Sequence, residues 1–309
     1  MTPPPPFAAP LPAVDRVIRI DDAGTHLLAT KLVVGSDPYM AGHFPDLTLY
    51  PAVFLVETVR QAVAAAAVPS CEFPEVRAVR SARLLAPMLG GTELSVEIRI
   101  GERVGSAPFE VTARCMRSEG VRVASLTLLL ADGDAPTPPP PEHGAGPAWP
   151  AGAGLEHPAI LGLLPVHHPM VLVDRAEAVE PGVAIRAVKT VSGSEPCYRM
   201  LPGRLPAQRY AYPGSLILES FGQAAAVLWM QSARAPADGT DEVLMLAALR
   251  DCRIEGRAFP GDVLRHTIRL ERIKHGNAFL SGETWVDDRR VAALGSLIAV
   301  QRPTTLVAG

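Results

Sequence analysis

The sequence predicts an α+β protein of two similar halves, each an antiparallel sheet wrapped around one apolar helix, with the halves paired as an internal pseudo-dimer. Three observations lead there. A stretch dominated by Pro and Gly, Ala131 to Gly154, bisects the 309-residue chain and reads as a semi-extended linker. The pieces on either side carry strand-like and helix-like runs in the same order. The helices themselves repeat: PAVFLVETVRQA at 51–62 matches PGSLILESFGQA at 213–224, and Pro51, Glu57 and Gln61 are each 162 positions from Pro213, Glu219 and Gln223.

The elements follow in order. In the first half, VDRVIRI and HLLATKLVV are β-rich runs that read as strands. The Pro-rich loop DPYMAGHFPDLTLYP comes next. A helix is predicted from Ala52 to about Val68, started by Pro51 and stopped by Pro69. VRAVRSARLL, ELSVEIRIG, FEVTARCMR and VRVASLTLLLA then alternate as strands do. In the second half the early strands are MVLVDRAEAV and AIRAVKTVSG, the loop is EPCYRMLPGRLPAQRYAYP, and the helix begins after Pro213; four more strand-like runs end the chain. The predicted domains are 1–132 and 153–309, with a linker over 133–152. A single sheet wrapped on a helix leaves an exposed edge that needs a partner, and the second copy supplies it.

Composition narrows the class. Hydrophobic residues make up 48% and charged residues 20%, with a formal net charge of −3. That balance gives no reason to expect nucleic acid or an anionic membrane as a partner. Cys71, Cys115, Cys197 and Cys252 lie far apart, without metal-ligand or disulfide spacing, which fits a reducing cytoplasm. The N-terminus, MTPPPPFAAPLPAVDR, lacks the basic start and apolar run of a signal peptide, and no stretch approaches the length of a membrane helix. His167 and His168 are adjacent, so on an extended chain they point to opposite sides and suggest no metal site.

The most specific motif is Gly42-His43-Phe44-Pro45, followed by Pro51 and Glu57. Here the chain resembles the β-hydroxyacyl-acyl-carrier-protein dehydratases, whose loop and helix read GHFP…PG…E. The second half resembles them through LLPVHHPMVLVDRAEAVEPGVAIRAVKTVSGSEPCY and YPGSLILESFGQAAAVLW. The resemblance implies a hotdog fold, here a fused double hotdog. It also implies a catalytic His and a carboxylate contributed from opposite halves of each site, and a substrate carried on phosphopantetheine by an acyl carrier protein, with no metal or other cofactor.

Carried over residue by residue, the resemblance is asymmetric. The first half keeps the loop histidine as His43 and has Glu57 on its helix; the second keeps Glu219, but its loop from Pro196 to Pro213 contains no histidine. Counting from the shared Pro38 and Pro196, the place of His43 falls at Leu201. One competent site, His43 with Glu219, and one vestigial site at Glu57 are expected. Gly214, where the family has Gly after the helix-start Pro, is expected to bind substrate beside His43 and Glu219, with Ala52 marking the degenerate site. Phe44, Phe54 and Phe221 are candidate acyl-tunnel residues. Arg199, Arg204 and Arg209 could meet an acidic carrier or a phosphate, or lie on a solvated loop.

The chemistry asks for these residue types. Dehydration of a 3-hydroxyacyl thioester removes a weakly acidic C2 proton and expels the C3 hydroxyl. A neutral imidazole can take the proton, a helix N-terminus can stabilise the enolate-like oxygen, and a carboxyl in an apolar setting stays protonated and can serve the leaving hydroxyl. Two alternatives stay open at this point: another thioester-handling hotdog enzyme, such as a thioesterase or a butyrolactone-synthase-like condensing protein, and a non-catalytic acyl-binding hotdog subunit. Further homo- or hetero-oligomerisation is also left open.

Overall fold

The computed structural model describes residues 6–44, 47–66, 71, 73–117, 120–133, 150, 152–232 and 242–303. Most of the predicted linker, Pro45 of the loop motif and the C-terminal end of the first predicted helix lie outside them. The first half contains β1 (Arg16–Arg19), β2 (His26–Leu32), α1 (Phe54–Ala65), β3 (Pro74–Leu84), β4 (Glu93–Ile100), β5 (Phe109–Arg117) and β6 (Arg122–Asp132). The second contains β7 (Ala153–Leu155), α2 (His157–Leu161), β8 (Arg175–Glu180), β9 (Ala184–Thr190), α3 (Gly214–Ser232), β10 (Glu242–Ile254), β11 (Val263–Lys274), β12 (Asn277–Val286) and β13 (Arg289–Pro303).

The thirteen strands of the described residues join one antiparallel sheet in the order β1-β2-β4-β5-β6-β3-β10-β13-β12-β11-β9-β8-β7. The order is a mirror about its centre. Each half reads outward as its post-helix strand, its last two strands, the next, and then its early strands; among the described residues only the short β7 has no counterpart. The seam is β3 against β10, where Leu249 faces Ala82 and Cys252 faces Val79. Each half thus closes the other's open edge, as the repeat predicts.

The helices form where they do for local reasons. Pro51 and Pro213 precede the first turns with φ already set for a helix. Ten consecutive residues of α1, Phe54 to Val63, are buried, so α1 is a core element rather than a surface amphipath. α3 buries Leu216, Ile217, Leu218 and Phe221 in the same way. One continuous apolar core runs through both halves.

Candidate active site

His43 ends the short 3-10 turn Met40–Gly42 on the loop before α1. That loop is anchored at its base, where the buried Lys31 Nζ lies 2.6 Å from Asp37 Oδ2. Its tip is pinned by the second half: His167 N–H donates to Gly42 O at 2.8 Å, and His43 forms an isolated antiparallel bridge with Val166. The passing chain explains the glycine. A Cβ at residue 42 would sit 2.1 Å from His167 O and 2.8 Å from Met170 N, both backbone atoms that cannot move independently. Gly42→Ala is therefore expected to cost about 1–3 kcal/mol of stability, read as a lowered urea midpoint; an unchanged midpoint would contradict this close crossing.

His43 is 8% exposed, and its Nδ1 lies 2.7 Å from Leu49 O. A carbonyl only accepts, so Nδ1 carries the proton and Nε2 is left with a free lone pair. Burial pulls its pKa down to about 4, opposed by the bond to Leu49. The ring is therefore a neutral base at ordinary pH, and Phe44 packs edge-on against it at 4.9 Å.

Glu219 lies on α3, and burial raises its pKa while a hydrogen bond from Gln223 opposes the rise. It is half-buried and lines a cavity. Gln223 Nε2 donates to Glu219 Oε1 at 3.0 Å and to Met170 O at 2.7 Å. Gln223 Oε1 accepts from Leu172 N–H at 2.8 Å. Gln223 thus ties the carboxyl to the strand-leading segment of its own half.

His43 and Glu219 line the same cavity, of about 140 Å³. Its other walls are mostly apolar: Phe44, Leu49, Met88, Val166, Leu246 and Leu297 are among them, with Gln223 beside Glu219. Gly222 and Ala226 line it from α3, so it follows the helix for nearly two turns beyond Glu219, roughly 10 Å at 1.5 Å per residue. Ala52 and Val53, at the N-terminus of α1, also face it.

That last pair corrects an expectation. Gly214 does not share this cavity; it lines a second, smaller one of about 40 Å³ together with Glu57, Arg60 and Ser215. The reason is which part of α1 each stretch of α3 meets. The N-terminus of α3 lies beside Glu57 and Arg60 of α1, whereas Glu219, about 7.5 Å further along α3, lies beside Ala52 and Val53 at the start of α1. The helix N-terminus belongs instead with the histidine loop that leads into it. Ala52, read from the sequence as a mark of degeneracy, sits in the His43 cavity.

The second cavity is built on the same plan and filled. Gln61 Nε2 donates to Glu57 Oε1 at 3.1 Å and to Leu11 O at 2.9 Å, repeating the Gln223 arrangement. The position 162 residues before Gly222 is Arg60, which is buried. Its Nη1 lies 3.2 Å from Glu57 Oε1, its Nε donates to Pro74 O at 2.8 Å, and its guanidinium stacks 3.8 Å from the Phe7 ring centroid. An arginine thus occupies the lane that Gly222 leaves open in the other half. Ala8 N–H donates to Arg209 O at 2.9 Å, as His167 does to Gly42. The place of His43 therefore falls at Tyr210, not at Leu201; the longer second loop defeats counting from the shared proline.

Of the three candidate tunnel phenylalanines only Phe44 reaches the cavity. Phe54 is buried against Tyr39 and Tyr50, and Phe221 lies edge-on to His266. Arg209 stacks 4.1 Å over the Phe73 ring, so its guanidinium is engaged in packing, whereas Arg199 and Arg204 are exposed. Sequence reasoning missed Val166, Gly222 and Arg60. For the last two the signal was present in the repeat, where VETVRQA and LESFGQA set Arg against Gly.

The buried imidazoles make a pH prediction. Burial depresses His43 to about 4 and His266 to about 3, against about 6.5 in an unfolded chain. The unfolded state therefore takes up protons first, and stability falls as pH drops below about 6.5, by about 1.4 kcal/mol per unit for each ring until its folded pKa is reached. Glu219 acts oppositely: its contribution is lost as pH rises past the normal carboxylate range. Urea midpoints are expected to fall between about pH 7 and about pH 5, less steeply in His43→Gln; parallel slopes for the two proteins would contradict a buried neutral His43.

Fold and site together define a double hotdog: two helix-wrapping halves with a histidine from one and a carboxyl from the other on a shared apolar cavity. The chain belongs to the FabA-like domain family, whose model matches residues 6–102 and 164–294. It is 32% identical over 149 residues, 48% of this chain and 93% of the relative, to the 3-hydroxyacyl-[acyl-carrier-protein] dehydratase FabZ of Pasteurella multocida. It is 38% identical over 129 residues, 42% of this chain and 86% of the relative, to that of Acidovorax sp.. Among solved structures it resembles the dehydratase domain of RzxB from Pseudomonas fluorescens, with a TM-score of 0.61, 13% identity and coverage of 94% of this chain and 98% of that one. It also resembles the dehydratase domain from the terminal module of the rifamycin polyketide synthase, with a TM-score of 0.57, 17% identity and 96% coverage of each. These structures share the fold. Among the described residues no group of His, Cys, Asp and Glu could hold a metal ion, and no helix is long and apolar enough to cross a membrane. All four cysteines are free and buried.

Proposed function

We propose that the chain is a dehydratase that converts a 3-hydroxyacyl thioester to the trans-2-enoyl thioester at one site, built by His43 and Glu219. The observation that carries this is their convergence, from different halves, on one apolar cavity. His43 Nε2 takes the C2 proton, and the Leu49 carbonyl holds the ring in the tautomer that can accept it. Charge gathering on the thioester oxygen is met by the N-terminal end of α1 at Ala52 and Val53. The C3–O bond breaks, and Glu219, protonated because it is desolvated, gives its proton to the departing hydroxyl. Water leaves, and return of the proton from imidazolium to carboxylate resets the pair. No cofactor takes part. The names of the relatives support an acyl carrier protein as donor of the substrate, in fatty-acid-like or polyketide biosynthesis. The free thiols suit a cytoplasmic setting.

The test is mass spectrometry of a panel of 3-hydroxyacyl carrier proteins incubated with the purified chain. Loss of one water per acyl group is expected. Release of free acid, or formation of a condensed product, would replace this reading with a thioesterase or condensing activity. An unchanged panel would leave an acyl-binding role in its place.

A further inference from the structure

Behind Glu219, where α3 packs on the sheet, lies a buried polar chain that the proposed chemistry does not use. His266 on β11 is completely buried. Its Nε2 is 2.8 Å from Ser220 Oγ, its Nδ1 is 2.8 Å from Thr284 Oγ1 on β12, and Ser220 Oγ donates to Leu172 O at 2.6 Å. Ser220 has one proton and spends it on Leu172, so it accepts from Nε2–H, and Thr284 donates to Nδ1. Every group is satisfied with the ring neutral. The chain of donors ends at Leu172, whose own N–H binds Gln223, the residue that holds the Glu219 carboxyl.

The other half solves the same packing problem without a histidine, and its one hydroxyl there, Thr58, accepts from Tyr50 at 3.1 Å on its own side of the core. Lys31 faces Leu94 as Lys189 faces Leu264, which places Val96 opposite His266 in the repeat. Val96 pairs with Cys115 as His266 pairs with Thr284, and both Val96 and Cys115 are fully buried. Thr58, the counterpart of Ser220, turns its hydroxyl back to Phe54 O at 3.1 Å. An apolar strand pair, Val96 and Cys115, therefore suffices on the sheet side to hold such a helix. The histidine buried between two hydroxyls, which at these positions only the second half has, carries a desolvation cost and gives in return a directional tie from helix to strands that close packing of Val and Cys lacks.

We infer that Ser220, His266 and Thr284 are positioning residues, which fix the rotation and axial setting of α3 so that Glu219, next to Ser220, faces His43 across the cavity. This rests on the dehydratase reading above. The test gives the second half the first half's own solution, Ser220→Thr with His266→Val and Thr284→Cys. The variant is expected to fold and to bind acyl substrate with KM within about threefold, while kcat falls by roughly 10–100-fold, the scale of a misplacement near 1 Å. In a Glu219→Gln background the same changes are expected to cost nothing further, because groups acting as a unit are not additive. Unchanged kcat, or an equal loss in both backgrounds, would overturn the inference. If the triple variant does not fold, Ser220→Ala alone is expected to lower kcat about tenfold, and wild-type kcat there would overturn it equally. A wild-type chain that removes no water from any 3-hydroxyacyl carrier would remove the dehydratase reading and this inference together, whereas a normal variant beside an active wild type removes the inference alone.

Discussion

His43→Ala is expected to lower kcat/KM for a 3-hydroxyacyl carrier by roughly 10²–10⁴-fold, the usual contribution of a positioned general base, with the fold intact. The fold should survive because the ring makes one polar bond, to Leu49 O, and removing it also relieves the burial of a titratable group. Leu49 O loses a donor but lies in the cavity wall, where water can replace it. His43→Gln separates geometry from basicity: an amide can still donate to Leu49 O but cannot take a proton, so it should be as inactive as alanine. Water-loss kinetics beside circular dichroism checks both. Turnover within tenfold of wild type in either variant would take the base role from His43.

Much of this site was legible in the sequence because a repeat carries register. The resemblance implies a His and a carboxyl from different halves, and the constant offset between Glu57 and Glu219, with the absence of histidine in the second loop, singles out His43 and Glu219 as the candidate pair. Gly214 shows where that reasoning stopped. Adjacency along a helix was read as adjacency in space, although the start of α3 and its next turns meet different parts of α1. Val166 was illegible for a different reason. It reaches His43 through a bridge between segments more than a hundred residues apart, and local pattern contains no trace of such a crossing. The Ser220–His266–Thr284 chain spans a helix and two strands, and its histidine looks in sequence like any strand residue. Gly42 was recognised as part of a motif, but its physical reason, the backbone of the other half passing where a methyl would stand, needed the fold.

Gly222→Arg is expected to abolish turnover, by at least about 10³-fold, while leaving the protein folded. The first half already contains the product of this substitution. Arg60 stands three residues after Glu57, as residue 222 stands three after Glu219, and it fills its cavity with an ion pair to the carboxyl and stacking on Phe7. In the second half a Cβ at Gly222 meets nothing within 4 Å, so the new side chain enters the cavity without displacing backbone. There it acts twice. It occupies the apolar lane between Glu219 and Ala226 that the acyl chain needs, and its positive charge favours the ionised form of Glu219, which can no longer give a proton to the leaving hydroxyl. Gly222→Leu separates these effects. It obstructs the lane without a charge, so short acyl chains should retain more activity than long ones, whereas the arginine should silence both. Turnover of a panel of chain lengths, with acyl-induced thermal shifts to report binding, distinguishes them. Wild-type rates in Gly222→Arg on any chain length would show that substrate does not lie along α3, and the closure of the second cavity by Arg60 would then give no support to the proposal of a single site.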